Sequence, residues 1–285
     1  MSLVSCDSKL VIPNTLFVCK GVKFKEEYLR SAMEQGAFAY VSEREYPAVP
    51  LPCIRVTDIR KAMGLLADRA YGHPSGALRI TGITGTKGKT TTAYYIKSIV
   101  DAWLAGQGHR ESALLSTIVT DDGVERRPAK LTTPEPLDLQ RHLWNAVSAG
   151  ADYLTMEVSS QAMKLSRVAG FQYDYAIFTN LEPDHIGPGE HESMEEYIQC
   201  KGMLFRNCKI GIANADADYL EQVMAGHTCQ LETFGMGENA DLRARNVQRI
   251  HQPGYLGVQY DLDGLEHYTV HVDIPGDFTV YNSLA

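Results

Sequence analysis

At 285 residues the chain is long enough for one large domain or two of ordinary size. Its 44% hydrophobic and 22% charged residues are those of a folded globular protein, and a net charge of −8 argues against a general binder of nucleic acid or anionic membranes. Six scattered cysteines with no C-x-x-C pair, no apolar run of membrane-spanning length and no signal-peptide layout point to reduced thiols in a cytoplasmic protein rather than a disulfide framework or zinc site.

Residues 1–77 read as a small α/β domain. Strands are expected over 15–19, 37–41 and 53–56, with helices over 25–35 and 59–71, the latter placing Met63, Leu66 and Ala67 at helical spacing. Gly72-His73-Pro74-Ser75-Gly76 is rich in breakers, so the boundary falls there and 78–285 forms the second domain. Leu78, Ile80 and Ile83 then supply a short buried strand that runs into Thr84-Gly85-Thr86-Lys87-Gly88-Lys89-Thr90-Thr91. Two glycines let the backbone N–H groups approach an anion, Lys89 reaches the terminal phosphates, and Thr90 offers a hydroxyl to Mg²⁺. A helix opening at Thr91 turns its positive end to the same place. Ile83 stands where the common G-x-x-x-x-G-K-[ST] pattern has its first glycine. A surface turn with a chance lysine is the plain alternative, and the flanking strand and helix signals outweigh it. The segment binds ATP or GTP on this reading.

Beyond the loop, Ile96, Ile99, Val100, Trp103 and Leu104 fall on one helical face. Strands are expected at 113–119, 152–156, 174–179 and 209–213, and helices near 135–149, 159–168, 193–206 and 216–225. Such alternation builds a parallel sheet with helices on both faces. Alternating stretches within 240–274 add antiparallel strands to it.

Ligands gather at the carboxyl ends of the strands in an open α/β sheet. Glu157 ends one expected strand and Asp184-His185 follows another, so Glu157 and His185 are candidate ligands for a second divalent cation beside Thr90. A capping glutamate and a surface histidine are the alternatives. Lys201 lies in an amphipathic helix, and position alone gives it no role. Thr132 and Thr133 precede a helix: they cap it, or offer hydroxyls to an anionic or sugar-bearing ligand. Ser159 and Arg167 flank the next helix, where Arg167 either grips a carboxylate or forms an ordinary surface pair.

These segments together resemble the Mur ligases, and most closely the UDP-N-acetylmuramoyl-tripeptide synthetase branch (MurE), over nearly the whole chain. Asp7-Ser8-Lys9 with Leu16–Gly21 resembles the family's uridine-binding segment. Thr84–Thr91 resembles its ATP loop, with Lys87 where asparagine is usual. Thr132-Thr133-Pro134-Glu135 resembles its muramyl-binding threonine pair. Met156–Ser160 with Arg167 is the segment most particular to the tripeptide branch. Phe178–Leu181, Asp184-His185, Tyr197 and Lys201 complete the central pattern, and Pro275–Asn282 resembles the motif whose asparagine contacts adenine. Gln161 replaces a usual histidine, Ile186–His191 differs from the common Leu-Asp-x-His-Gly, and Thr279 replaces the first of two asparagines.

The resemblance implies an α/β fold: a small N-terminal UDP-sugar-binding domain, then a central ATPase domain with a mostly parallel sheet and appended antiparallel strands. A third domain, which selects the amino acid, is expected to be absent from this chain. The implied reaction is ATP-dependent addition of a diamino acid, such as L-lysine or meso-diaminopimelate, to UDP-MurNAc-L-Ala-D-Glu through an acyl phosphate, in peptidoglycan precursor synthesis. It implies two Mg²⁺ sites drawn from Thr90, Glu157, His185 and Lys201, with Lys201 carbamylated by CO₂. Lys89, Glu157, His185 and Lys201 are the implied catalytic residues. ATP falls to Thr84–Thr91 with Asn180 and Asn282, and the UDP-sugar dipeptide to Ser8, Thr132, Thr133, Ser159 and Arg167. A monomer without nucleic-acid or membrane partners is expected. The rivals are another Mur-type amide ligase, a folylpolyglutamate synthetase, an unrelated P-loop kinase, and a non-catalytic UDP-sugar and nucleotide-binding relative.

Overall fold

The computed structural model of the chain describes residues 3–21, 23–184, 186–264 and 267–285. It divides into two compact units. The first comprises Met1–Gly76, Pro134–Trp144 and Leu165–Phe171; the second comprises Ala77–Thr133, Asn145–Lys164 and Gln172–Ala285. The two later stretches of the first unit fall beyond the boundary expected at residue 77, because their apolar and small residues fit its surface. Leu137 packs on a cluster that includes Val4, Val18, Ile59 and Met63. Ala169 sits so close to Gly64 that a Cβ there would lie 2.8 Å from its methyl group.

The first unit holds a parallel sheet of β1 (Leu3–Ser5), β2 (Thr15–Val18), β3 (Ala37–Ser42) and β4 (Cys53–Arg55), in that spatial order. Helices α1 (Glu26–Glu34) and α2 (Ile59–Ala70) connect or follow the strands. All four β2 residues are buried, as a strand covered on both faces requires. Phe17 joins one apolar cluster, and its neighbours Leu16 and Val18 join another, which is the two-residue period of a strand. Asp58 caps α2 by accepting from the N–H groups of Arg60 and Lys61.

The second unit is built on eleven strands: β5 (Arg79–Thr84), β6 (Ala113–Leu115), β7 (Val119–Asp121), β8 (Arg126–Pro128), β9 (Tyr153–Glu157), β10 (Tyr173–Phe178), β11 (Cys208–Asn214), β12 (Gln230–Gly235), β13 (Leu242–Gln252), β14 (Tyr255–Asp263) and β15 (Tyr268–Val272). Their order is β15-β14-β13-β12-β11-β10-β5-β9-β6-β7-β8. The run from β13 to β6 is parallel, and both ends are antiparallel. Strand β5 lies between β9 and β10, where the winding of the chain changes direction. That is the point at which an open α/β sheet receives a ligand.

The remaining helices are α3 (Lys89–Gly106), α4 (Pro136–Ser148), α5 (Ser160–Lys164), α6 (Met194–Gly202), α7 (Leu220–Met224) and α8 (Asp277–Leu284). Three local expectations change. The apolar stripe of α3 is only partly its core face: Leu104 is buried and Ile96 packs on the core, but Ile99 and Trp103 are exposed and small Thr92 and Ala93 are buried in their stead. Strand β6 stops at Leu115, because the Ser116 hydroxyl donates to Val119 O and accepts from Ile118 N and Val119 N, which turns the chain. Helix α7 begins only at Leu220, after Tyr219 in a left-handed conformation.

Candidate functional site

The phosphate loop joins β5 to α3, and the segment after β10 together with α8 fixes its shape. Gly85 has φ 151° and Gly88 φ 84°. A Cβ on Gly85 would lie 2.0 Å from Thr179 Oγ1, and one on Gly88 2.3 Å from Asn282 Oδ1, so both positions demand glycine by space as well as by conformation. Thr86 N donates to Asn180 O (3.0 Å), and Lys87 N donates to Asn180 Oδ1 (2.9 Å). The Lys87 carbonyl accepts from Thr179 Oγ1 (2.7 Å) and Asn180 Nδ2 (3.1 Å). Asn180 therefore shapes the loop through its own backbone and side chain. The Lys89 ammonium crosses the loop to Gly85 O (2.9 Å) and Thr86 O (3.0 Å). Burial lowers its pKa, against the opposing pull of Glu157 and Asp184. Lys87 instead points outward and pairs with Glu182 at 2.5 Å.

Glu157 is the fully buried last residue of β9. Its Oε1 accepts from Thr90 Oγ1 (2.8 Å) and Thr117 N (2.8 Å), and its Oε2 accepts from Thr117 Oγ1 (3.0 Å). Buried polar oxygens need hydrogen-bond partners, and these three donors supply them. Thr117 Oγ1 also lies 3.2 Å from Thr132 Oγ1. Thr133 Oγ1 donates to Glu157 O (3.0 Å) and accepts from Ser159 N (3.0 Å). The threonine pair and Ser159 thus surround the strand end that carries Glu157.

Lys201, on α6, is only 2% exposed, and its ammonium lies 4.4 Å from the centroid of the Tyr197 ring. Burial, aided by the positive charge of Lys89 and opposed by Asp184, holds its pKa well below the usual lysine range. The Tyr197 hydroxyl is 3.1 Å from Thr86 Oγ1, which links α6 to the phosphate loop. His191 is fully buried, with Nε2 2.8 Å from Ser160 Oγ and its ring 5.1 Å from that of Tyr197. It braces this side of the site, and burial lowers its pKa. His185, expected as a metal ligand, lies outside the described residues.

The first unit carries a second polar cluster. Glu135 pairs with Lys20 and, at 2.9 Å, with Arg167 Nε. Burial raises the Glu135 pKa, but Lys20, Arg167 and Arg60 overcome that and leave it below the ordinary carboxylate value. Ser8 begins a short 3₁₀ turn whose Lys9 N–H donates to Asp7 Oδ1 (2.9 Å). A cavity of about 430 Å³ in this unit is lined by Gly21, Phe24, Arg44, Tyr46, Asp58 and Arg60, among others.

The second unit therefore brings together Thr84–Thr91, Thr132, Thr133, Glu157, Ser159, Asn180 and Asn282, with Lys201 reached through Tyr197. Ser8 and Arg167 belong to the first unit. Sequence reasoning missed Thr117, His191 and the role of Glu135. Thr117 follows β6 at the carboxyl end of a parallel strand, so the topology rule was the signal that could have found it.

The family model for the Mur ligase middle domain matches residues 83–285. The chain belongs to the Mur ligase family. Over 99% of its length, this Mur ligase is 39% identical to a UDP-N-acetylmuramyl-tripeptide synthetase of Bifidobacterium longum. Over 77% it is 46% identical to a UDP-N-acetylmuramoyl-L-alanyl-D-glutamate–L-lysine ligase of Enterococcus faecalis. These alignments span 55% and 42% of the two relatives, so the chain covers about half the length of the curated relatives it matches. The solved structure of a UDP-N-acetylmuramoyl-L-alanyl-D-glutamate–2,6-diaminopimelate ligase superposes with a TM-score of 0.82 at 24% identity, covering all of this chain and 58% of that one. A MurF ligase of Thermotoga maritima in complex with ADP gives 0.60 at 18% identity, covering 98% and 60%. Both share the fold. No helix among the described residues is long and apolar enough to cross a membrane.

Proposed function

We propose that this Mur ligase acts in ATP-dependent addition of a diamino acid to UDP-MurNAc-L-Ala-D-Glu. The second unit would bind ATP, and the first would bind the UDP-sugar end of the acceptor. The observation that carries the reading is the Thr90–Glu157 contact at the mouth of a glycine-shaped phosphate loop, with a buried lysine two contacts away through Tyr197.

The donor set fits a hard divalent cation. Thr90 and Glu157 offer oxygen atoms already 2.8 Å apart, in a place where a buried carboxylate gains from a second positive charge. Lys201 as an ammonium does not fit a cation site. Its lowered pKa leaves the neutral amine accessible, and that amine would add CO₂ to form a carbamate anion and release one proton. Thr90, Glu157 and carbamylated Lys201 would hold Mg²⁺, which neutralises phosphate charge when bound. His185 is proposed with them from the sequence pattern alone.

The chain's own residues supply the rest. Lys89 and the N–H groups of the loop neutralise the β- and γ-phosphates, so that a substrate carboxylate can approach an anionic phosphoryl group. Phosphoryl transfer would yield an acyl phosphate and ADP, and the incoming amine would then expel phosphate. Arg167, held by Glu135, would orient a carboxylate of the acceptor, while Ser8 and the cavity beside Gly21 would take the uridine end. Thr132 and Thr133 would meet the muramyl portion, and Ser159 would help place the dipeptide. The named relatives support a diamino acid as the added residue. A calorimetric titration compares UDP-MurNAc-L-Ala-D-Glu with UDP-MurNAc-L-Ala and UDP. Preference for the dipeptide is the expected result, and equal affinity for all three overturns the choice of substrate.

A further inference from the structure

A cavity of about 510 Å³ in the second unit is lined by Lys87 and Gly88 of the phosphate loop, by Asn180, Asn214, Asp216 and Tyr281, and by their neighbours. Thr90 and Glu157 do not line it. Glu182, Asp216 and Asp218 place three carboxylates in its wall, against a lysine, Lys87, that is already paired with Glu182. Such a wall repels phosphate. It suits the uncharged part of a ligand whose phosphates rest on the adjoining loop.

Asp216 holds this wall together. Its Oδ2 accepts from Met236 N (2.6 Å) and from the Tyr281 hydroxyl (3.1 Å), while Gly237 N reaches both oxygens at 3.1 and 3.2 Å. Its own N–H donates to Asn214 Oδ1 (3.0 Å), and Asn214 Nδ2 donates to Thr179 O (2.8 Å), the residue that grips the phosphate loop. One residue thus links the end of β11, the turn after β12, and α8. The turn is shaped around it: a Cβ on Gly235 or Gly237 would lie 2.7 or 2.4 Å from a carboxylate oxygen of Asp216. The Tyr281 hydroxyl has its pKa pushed up to about 12, by burial first and the nearby carboxylate second, so it remains a donor at neutral pH. Asp216 is itself exposed, so its side chain fills no core space whose loss would unfold the unit.

We infer that Asp216 is a positioning residue for the nucleobase, fixing the Tyr281 ring as a flat wall on which the base of a nucleoside triphosphate rests. The inference rests on the reading of the loop as a nucleoside-triphosphate site. Helix α8 sets the base of the tyrosine, and the Asp216 carboxylate sets its tip. An aromatic wall fixed at both ends loses little freedom when a heterocycle stacks on it.

The test measures dissociation constants of the 285-residue protein for ATP and for inorganic tripolyphosphate, both with Mg²⁺, in the wild type, Asp216→Ala and Tyr281→Phe. The wild type is expected to prefer ATP. Asp216→Ala should lose roughly tenfold of that preference with tripolyphosphate affinity unchanged. Tyr281→Phe keeps the ring and loses only the hydrogen bond, so it should lose a smaller part and guards against misfolding of the first variant. Unchanged ATP affinity in both variants, or equal loss of both ligands, overturns the inference. A wild type that binds both ligands equally overturns it while leaving the phosphate loop standing. A wild type that binds neither overturns the nucleotide reading as well.

Discussion

The phosphate loop of the second unit and the Lys20–Glu135–Arg167 cluster of the first are both charged sites, yet they are assembled in opposite ways. The loop is one continuous stretch of eight residues, and residues just after β10 and on α8 only press it into shape. The cluster draws its three residues from positions 20, 135 and 167, and none has meaning without the fold that collects them. In the loop the cation is held by backbone carbonyls, so its place survives changes elsewhere. In the cluster each charge depends on the others. A contiguous site tolerates loss of a neighbour, whereas a collected site fails with any one member.

That contrast is tested first where the effect is largest. Replacing Lys89 by Ala should weaken ATP binding by roughly a hundredfold, since charge-assisted hydrogen bonds to phosphate are lost. Its melting temperature should stay close to wild type, because the loop is fixed by Thr179, Asn180 and Asn282. Isothermal titration and thermal unfolding read the two effects, and a large drop in melting temperature would contradict the contrast.

Glu135→Gln should behave in the opposite sense. It removes the negative charge that Lys20 and Arg167, both about six-sevenths buried, share. A cost of about 2 kcal/mol follows after allowance for solvent screening. The pKa of Glu135 is lowered on folding, so its stabilisation is present above the ordinary value of 4.5 and is lost as pH falls through the folded value. The stability gap between wild type and variant, measured by urea unfolding, should therefore be constant near neutrality and close below pH 4.5. A gap that persists in acid would remove the ion pair as its cause.

Gly88→Ala adds a methyl group 2.3 Å from Asn282 Oδ1 at a left-handed position. Destabilisation of about 1–3 kcal/mol is expected in thermal unfolding, with weaker nucleotide binding. A variant as stable as wild type would show that Asn282 moves freely. A smaller and more specific effect concerns Lys201: incubation with ¹³C-bicarbonate should give a carbamate resonance that is lost in Lys201→Arg. Its absence from the wild type would remove the carbamate from the account.

The sequence was readable where chemistry is local. The strand, glycine turn and lysine of residues 79–92 stand side by side, and the alternation of strands and helices gave the parallel sheet. Strand β12 was missed because Gln230–Gly235 alternates weakly, and its place comes from parallel pairing with β11. The core face of α3 was read correctly at Ile96 and Leu104 but not at Thr92 and Ala93, because apolar Ile99 and Trp103 outweigh small residues that let the helix approach the sheet. Thr117 and His191 gained their roles only from contacts across 40 and 31 residues. Arg167 was found as a candidate, but its tie to Glu135 needed two stretches that rejoin the first unit after the chain has left it.

Glu157 and Thr90 form a prepared cation site at the phosphate loop on this reading, and ATP affinity measured against Mg²⁺ concentration tests it most directly. Mg²⁺ should tighten ATP binding in the wild type and have little effect in Glu157→Gln. An equal response to Mg²⁺ in both proteins would contradict it.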